Sequence, residues 1–229
     1  MNALLLAAGK GTRLRPLTEH TPKCLVRIGT RVLLDIWLSN LSKAGIDRFL
    51  INTHHLAGIV TDYIATHPLQ KVVKTVFEPE LLGTAGTLTA NKEFCSQDTT
   101  LIAHADNLCL CEWSQFFEAH AKRPSATIMT MMTFRTPTPQ TCGILQLDSQ
   151  GVVERFYEKS ATPPGNLANA AIYLIEPPVM KILLSASPPM TDISTELIPK
   201  LLGKINTWEN TDTVIDIGTP ESLRRASLL

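Results

Sequence analysis

The chain has 229 residues, 44% of them apolar and 18% charged, which suits one α/β domain with a sizeable buried core. Lys+Arg and Asp+Glu both total 21, so the formal net charge is zero. That balance argues against a nucleic-acid surface or a polybasic membrane patch, so any anionic ligand must be held by a local cluster of cations.

Ala3 to Ala8 is a continuous apolar run, expected of a strand covered on both faces. It is too short to span a membrane, which takes about 20 residues. It also lacks the leading positive charge and small-residue cleavage site of a secretion signal, and Gly9-Lys10-Gly11 follows it directly. The cysteines at 24, 95, 109, 111 and 142 are odd in number and form no disulfide framework; the lone C-x-C at Cys109 and Cys111 lacks further zinc ligands. A cytoplasmic protein with reduced cysteines is therefore expected.

After the glycine-bearing loop an irregular stretch runs to about Gly29. Leu33 to Ala44 has helical apolar spacing and stops at Gly45. Phe49 to Thr53 reads as a strand, Leu56 to Thr66 as a helix closed by His67-Pro68, and Val72 to Phe77 as a third strand. A helix from Thr84 or Ala85 to about Lys92, with Thr84 as its cap, precedes a fourth strand from Leu101 to His104. Trp113 to Ala121 is helical and Ala126 to Phe134 is β-rich. Gly143 to Leu147 and Val152 to Tyr157 form a hairpin, Ser160 to Asn166 a loop, and Ala170 to Ile175 a strand. Helices over Pro177 to Leu184 and Ser194 to Leu202, a strand over Val214 to Ile217 and a helix over Pro220 to Ala226 complete the chain.

The alternation in the first half predicts a doubly wound, mostly parallel mixed sheet. Ligands of such sheets sit beyond the carboxyl ends of the strands, where Gly9, Glu78 and Asp106 all fall. In the loop after the first strand, glycines let backbone N–H groups approach phosphate oxygens, and Arg13 and Lys23 add positive charge. A dinucleotide fingerprint would need glycine where Leu14 stands, and no G-K-[ST] of a P-loop occurs.

The string G-K-G-T-R-L-R-P-L-T from Gly9 to Thr18, with Pro22-Lys23, resembles the signature of the sugar-phosphate nucleotidyltransferase family. The resemblance recurs at Leu82-Gly83-Thr84-Ala85-Gly86, Asp106, Cys142-Gly143-Ile144, Glu158-Lys159, Asn169-Ala170-Ala171-Ile172-Tyr173 and Asp216-Ile217-Gly218-Thr219-Pro220, so it spans nearly the whole chain. It implies a Rossmann-like nucleotidyltransferase fold with a sugar-binding lobe. One domain would cover 1–229, with a nucleotide-binding half to about 110 and a sugar-phosphate half from about 111. It implies transfer of a nucleoside monophosphate from an NTP to a sugar 1-phosphate, with release of pyrophosphate. With Leu229 soon after the last predicted helix, a β-helical extension like that of some larger relatives is not expected.

The resemblance also implies roles. Arg13 and the Gly9 to Gly11 amides hold the triphosphate and Lys23 the α-phosphate; Leu6, Ala7, Ala8, Thr12, Glu78, Gly83, Thr84 and Ala85 complete the nucleotide site. Asp106 and Asp216 bind Mg²⁺. Glu158 accepts sugar hydroxyls, Lys159 holds the sugar's phosphate, and Asn107, Gly143 and Asn169 line the sugar pocket, Gly143 letting the sugar approach the backbone. Ala105, Ser160 and Ala171 depart from the family's usual Gly, Pro and Gly. His54 and His55 read as loop and capping residues, because an ionised phosphate nucleophile needs no general base.

The stretch Glu78-Pro79-Glu80-Leu81-Leu82-Gly83-Thr84-Ala85-Gly86 resembles the guanylyltransferase pattern, so GTP is favoured over UTP or dTTP. Guanine's N–H donors suit a nearby carboxylate. Relatives that use uracil or thymine often place an amide there, and the nearest upstream glutamine, Gln70, falls before the strand. Two other readings stand beside this one. A cytidylyltransferase acting on a non-sugar phosphate such as phosphocholine wants aromatic cation-binding residues, and Trp37, Trp113 and Trp208 are not evidently placed for that. A non-catalytic regulatory relative would have lost the charged motif residues, and all are present.

Overall fold

The amino-terminal apolar run forms strand β1, Asn2–Leu6, in the computed structural model, which describes residues 1–229. The strand is buried at every position but stops two residues earlier than its apolar character suggests, because the Ala7 amide donates to the Asn52 side chain and not to a neighbouring strand. The loop beyond it is a series of short 3₁₀ turns, Thr12–Leu14, Leu17–Glu19 and Lys23–Leu25. A small hairpin, β2 (Arg27–Ile28) and β3 (Arg31–Val32), turns at Gly29 with φ +58°. Strands of this length carry no readable alternation. Helix α1 (Leu33–Lys43), β4 (Arg48–Thr53), α2 (Ala57–Ala65) and β5 (Val73–Phe77) follow as the apolar periodicity predicts.

Next come α3 (Gly83–Ala90), α4 (Lys92–Cys95), β6 (Thr100–His104), β7 (Asn107–Leu110) and α5 (Trp113–Ala121). The second half contains β8 (Met129–Arg135), the hairpin β9 (Gly143–Leu147) and β10 (Val153–Glu158), β11 (Leu167–Ile175) and α6 (Pro177–Leu184). The predicted helix over Ser194 to Leu202 is instead a π turn, Ile193–Leu197, leading into a short α7, Ile198–Lys200. Pro199 has no N–H to continue an i→i−4 ladder there. Strands β12 (Ile205–Glu209) and β13 (Thr213–Asp216) and helix α8 (Pro220–Ala226) end the chain. Helix α8 begins with a capping box between Thr219 and Ser222. No helix is long and apolar enough to cross a membrane.

Packing groups the residues into two units. The first comprises Met1–Leu81, Ala103–Leu110 and Thr213–Leu229. In it β1, β4 and β5 are parallel, with Leu6 opposite Asn52 and Asn52 opposite Val76, so their carboxyl ends are level. The residue after β6, Ala105, donates to the Leu6 carbonyl at 2.9 Å. Strands β7 and β13 form an antiparallel ribbon that sets Asp216 opposite Asn107, held to α1 by Trp37 Nε1 donating to the Asn107 carbonyl at 2.8 Å. Leu4, Leu5, Leu34, Trp37, Leu38, Leu41, Phe49 and Leu50 fill the core.

The second unit comprises Leu82–Ile102 and Cys111–Asp212, so the packing does not divide at residue 110. Here β11 pairs antiparallel with β8 and β9, β9 pairs antiparallel with β10, and β12 runs parallel to β8. The fold is thus α/β with a mixed sheet, its parallel pairing concentrated in the first unit. Strand β11 bulges between Asn169 and Tyr173, where Ala171 adopts φ +55°. Met129, Met131, Tyr173, Ile175, Leu183 and Leu197 pack this unit's interior.

Candidate functional site

In the first unit, Gly11 takes φ +61°, and Thr18 Oγ1 donates to its carbonyl at 2.7 Å, folding the loop back on itself. A Cβ at Gly11 would press on Thr18 and Lys23, so glycine is required twice over, by backbone and by space. The fold-back carries Lys23 inward. Its ammonium is 2.8 Å from Asp106 Oδ2 and 3.4 Å from Asp216 Oδ1, and its side chain is only 7% exposed. Arg13 Nη2 lies 3.1 Å from Asp216 Oδ2. A Cβ on Gly218 would sit 2.6 to 2.8 Å from the Arg13 guanidinium, so the glycine of D-I-G-T-P makes room for that arginine. Four charged residues from three separate motifs therefore converge. Asp106 comes from the turn after β6 and Asp216 from the end of β13; the β7–β13 ribbon sets them side by side. Gly9 lies alongside, with Asp106 Oδ2 3.7 Å from where its Cβ would be. Cys24, next to Lys23, is a buried thiol pushed up to about 12 by burial and then by the Asp106 charge, which keeps it un-ionised.

The donor set suits Mg²⁺. One ammonium bridges both aspartates, so their carboxylates lie within reach of a single cation, for which Lys23 Nζ is the stand-in. No group of three or more His, Cys, Asp or Glu side chains is placed to enclose a metal. Mg²⁺ commonly takes only one or two carboxylates and fills its remaining positions with phosphate oxygens and water.

Leu6 ends β1, and Ala7, Ala8 and Thr12 lie along the loop that follows it. Glu78 is 3% exposed, and its Oε1 accepts from Asn52 Nδ2 at 3.0 Å. His54 Nδ1 lies 2.8 Å from the Glu78 carbonyl and His55 Nε2 lies 2.8 Å from the Thr18 carbonyl, so both brace loop backbone. Asn107 sits in the first unit beside the aspartates, whereas Gly143, Glu158, Lys159 and Asn169 belong to the second unit. Asn52 was not among the residues expected at the site; its one sequence signal is a lone amide inside the apolar run F-L-I-N-T.

In the second unit, Gly83 opens α3 with φ +74°. The Ala85 and Gly86 amides donate to the Thr191 carbonyl at 2.9 and 3.5 Å. Thr84 is not the helix cap: α3 has no side-chain cap, and Thr84 Oγ1 accepts from the Ile193 amide at 2.8 Å and donates to Asp192 at 3.4 Å. Two amides of this helix start, those of Ala85 and Gly86, are thus used by Thr191. Glu196 fixes the segment Thr191–Ile193 in turn by accepting from the Thr191 and Asp192 amides. A Cβ at Gly83 would run into the Thr191 carbonyl well inside contact distance, on a backbone that already disfavours a side chain. Gly83→Ala is expected to destabilise the protein by at least ~2 kcal/mol, read as a lower urea midpoint. An unchanged midpoint would contradict this packing.

Gly143 and Glu158 face each other across the β9–β10 hairpin. The space above Gly143, expected to admit a sugar, is filled: a Cβ there would collide with the Phe156 ring and lie 2.8 Å from Glu158 Oε2. The glycine therefore seats Glu158. Burial raises the Glu158 carboxyl above the usual carboxylate range, opposed by the Lys159 charge and assisted by Asp192. Lys159 adopts φ +46°, with its ammonium 3.8 Å from Glu158 Oε1 and its side chain 69% exposed. Asn169 holds the β11 bulge: its Oδ1 accepts from the Ala171 amide and its Nδ2 donates to Tyr173 Oη, both at 2.8 Å.

The chain matches the Nucleotidyl transferase family over residues 2–229. It is 28% identical over 232 residues to a Sulfolobus acidocaldarius protein assigned as a mannose-1-phosphate guanyltransferase, covering 100% of this chain and 62% of that one. It is 28% identical over 234 residues to the mannose-1-phosphate guanylyltransferase of Mycobacterium tuberculosis, covering 99% of this chain and 64% of that one. Among solved structures, a Bacillus anthracis chain assigned as a glucose-1-phosphate thymidylyltransferase and crystallised with sucrose superposes with a TM-score of 0.86 at 21% identity, covering 100% of this chain and 94% of that one. At that identity the superposition shows a shared fold. The chain spans only 62 to 64% of the length of these two curated relatives.

Proposed function

This chain belongs to the nucleotidyl transferase family, and on that premise we propose that it transfers a nucleoside monophosphate from an NTP, preferentially GTP, to a sugar 1-phosphate, releasing pyrophosphate. The observation that carries the reading is the cluster of Arg13, Lys23, Asp106 and Asp216 beside the glycine loop. Both substrates are anions and the reacting atom is phosphorus. The protein's task is therefore to bring like charges together and neutralise them, which needs positioned cations more than a proton acceptor.

In this reading Arg13 and the Gly9 to Gly11 amides take the triphosphate, and Lys23 takes the α-phosphate. Residues Leu6 to Ala8, Thr12 and Glu78 flank the nucleotide, as do Gly83 to Ala85. Asp106 and Asp216 would hold Mg²⁺, which supplies charge neutralisation for the phosphate oxygens. Lys23 balances those carboxylates when no substrate is present and is drawn to phosphate when one arrives. Glu158 accepts hydroxyl hydrogen bonds from the sugar and Lys159 fixes the attacking phosphate as a mobile point charge, with Gly143 seating Glu158 and Asn169 holding the bulge beside them. A cytoplasmic enzyme without nucleic-acid or membrane partners fits this chemistry.

Arg13 and Lys159 come from different motifs and different units. Lys159→Ala is expected to raise KM for the sugar phosphate at least ~10-fold and leave calorimetric NTP affinity intact, with Arg13→Ala doing the reverse. Loss of NTP binding in folded Lys159→Ala would invert the assignment.

The preference for GTP is supported by Glu78, a carboxylate fixed at the end of β5, and by the likeness to guanylyltransferases. The test is pyrophosphate release with GTP, UTP, dTTP and CTP against a panel of sugar 1-phosphates. GTP is expected to give the highest kcat/KM; a higher value with UTP for every sugar phosphate overturns the guanine assignment and leaves the reaction class standing.

A further inference from the structure

A hydrogen-bonded relay crosses the carboxyl ends of the three parallel strands of the first unit. The Ala7 amide, just past β1, donates to Asn52 Oδ1 at 2.7 Å, and Asn52 Nδ2, on β4, donates to Glu78 Oε1, just past β5, at 3.0 Å. Both side chains are almost fully buried, and the Glu78 amide is tied to the Thr53 carbonyl at 2.8 Å, so neither end drifts.

The direction of this relay is not free. A backbone amide can only donate, so the Ala7 N–H obliges Asn52 to turn its carbonyl oxygen that way and its NH₂ towards residue 78. Residue 78 must then meet Asn52 with an acceptor. A carboxylate can do so with one oxygen and still offer its other oxygen as an acceptor elsewhere.

We propose that Asn52 is a positioning residue that fixes the direction of Glu78, and with it the hydrogen-bonding sense in which the pocket meets the nucleobase. The inference rests on the reading above that Glu78 faces the base. It deepens that reading by assigning the choice of base to a pair of buried residues. The hydrogen bond from the Ala7 amide ties the pair to the first residue of the phosphate loop, so the base and the phosphates are registered on one chain of contacts.

The relay makes an unusual substitution pattern informative. With Asn52 in place, glutamine at 78 must give its carbonyl oxygen to Asn52 and present NH₂, the opposite sense to the carboxylate. With aspartate at 52, one oxygen still accepts from Ala7 and the other accepts from glutamine's NH₂, so glutamine's carbonyl oxygen is presented again. Asn52→Asp alone sets two carboxylates against each other.

The test measures GTP and UTP affinities by calorimetry with Mg²⁺ present, for the unaltered chain, Glu78→Gln, Asn52→Asp and the double variant, with a melting curve for each. Glu78→Gln is expected to move the GTP-to-UTP affinity ratio at least about tenfold, since mismatched polar groups in a hydrogen-bonding pocket discriminate strongly. The double variant is expected to return the ratio to within about threefold of the unaltered chain, and Asn52→Asp alone to weaken both nucleotides. Affinities that merely follow melting temperature, with no return in the double variant, overturn the proposal. A preference for UTP in the unaltered chain removes the guanine assignment, while a restored ratio in the double variant still supports the relay. Binding of neither nucleotide by the unaltered chain overturns the proposed function and this inference together.

Discussion

Asp106→Asn and Asp216→Asn are each expected to lower kcat at least ~100-fold, the loss typical when a charged group that stabilises a phosphoryl-transfer transition state is removed. Asparagine keeps the shape and removes the negative charge. Each variant leaves Lys23 with one remaining carboxylate, so folding survives while affinity for divalent cations falls. Two measurements check this: steady-state pyrophosphate release at saturating substrates, and calorimetric titration with Mg²⁺, with the larger cation Ca²⁺ for comparison. Near-normal turnover in both variants, or full activity in excess EDTA, would remove these aspartates from the reaction.

Lys23→Ala is expected to have the largest effect on stability of any change among Arg13, Lys23, Asp106 and Asp216, as well as abolishing efficient turnover. Removing one member of a fully buried ion pair typically costs about 3–5 kcal/mol, because the partner is left desolvated and uncompensated. Asp216 is 53% exposed and Asp106 23%, so water screens part of the penalty and about 2–3 kcal/mol is the better expectation. For a chain of this size that lowers Tm by roughly 4–12 °C. The site then holds two carboxylates with no shared counter-ion, so Mg²⁺ should raise Tm more in Lys23→Ala than in the unaltered protein, by linkage. An unchanged Tm together with an unchanged response to Mg²⁺ would show that Lys23 does not neutralise this pair.

The features readable from sequence were those carried by local pattern. An unbroken apolar run gave β1 and 3.6-residue spacing gave α1, while the glycines after β1 marked a loop but not the left-handed turn at Gly11 that carries Lys23 inward. Asp106 and Asp216 were legible as motif residues. Their meeting was not, because it depends on the β7–β13 ribbon, whose first strand follows the turn at Asp106 and is only four residues long. β12 escaped notice because Asn206, Thr207 and Glu209 dilute its apolar signal.

Roles settled by long-range contact were also hidden. Thr84 has the composition of a cap, but its hydroxyl is taken by the segment at Asp192 and Ile193. Gly143 looks like an opening for a ligand, but Phe156 and Glu158 fill it from the neighbouring strand. Asn52 opens the N-T-H-H stretch without a role of its own, and only the level ends of three strands reveal that it joins Ala7 to Glu78. In each case the residue type constrains what the side chain can bond, and the tertiary partner decides what it does bond.

The central claim is transfer of the nucleotidyl group to a sugar phosphate, and the most direct measurement follows the α-phosphorus. GTP labelled with ³²P at the α-position is incubated with Mg²⁺ and mannose 1-phosphate or another sugar 1-phosphate, and the products are resolved by ion-exchange chromatography. The account predicts that label moves into a nucleoside diphosphate sugar in step with one pyrophosphate released per label transferred, and only when a sugar 1-phosphate is present. Label that stays in GTP with all four NTPs and every sugar 1-phosphate, or that passes to GMP or to a non-sugar phosphate such as phosphocholine, would contradict it.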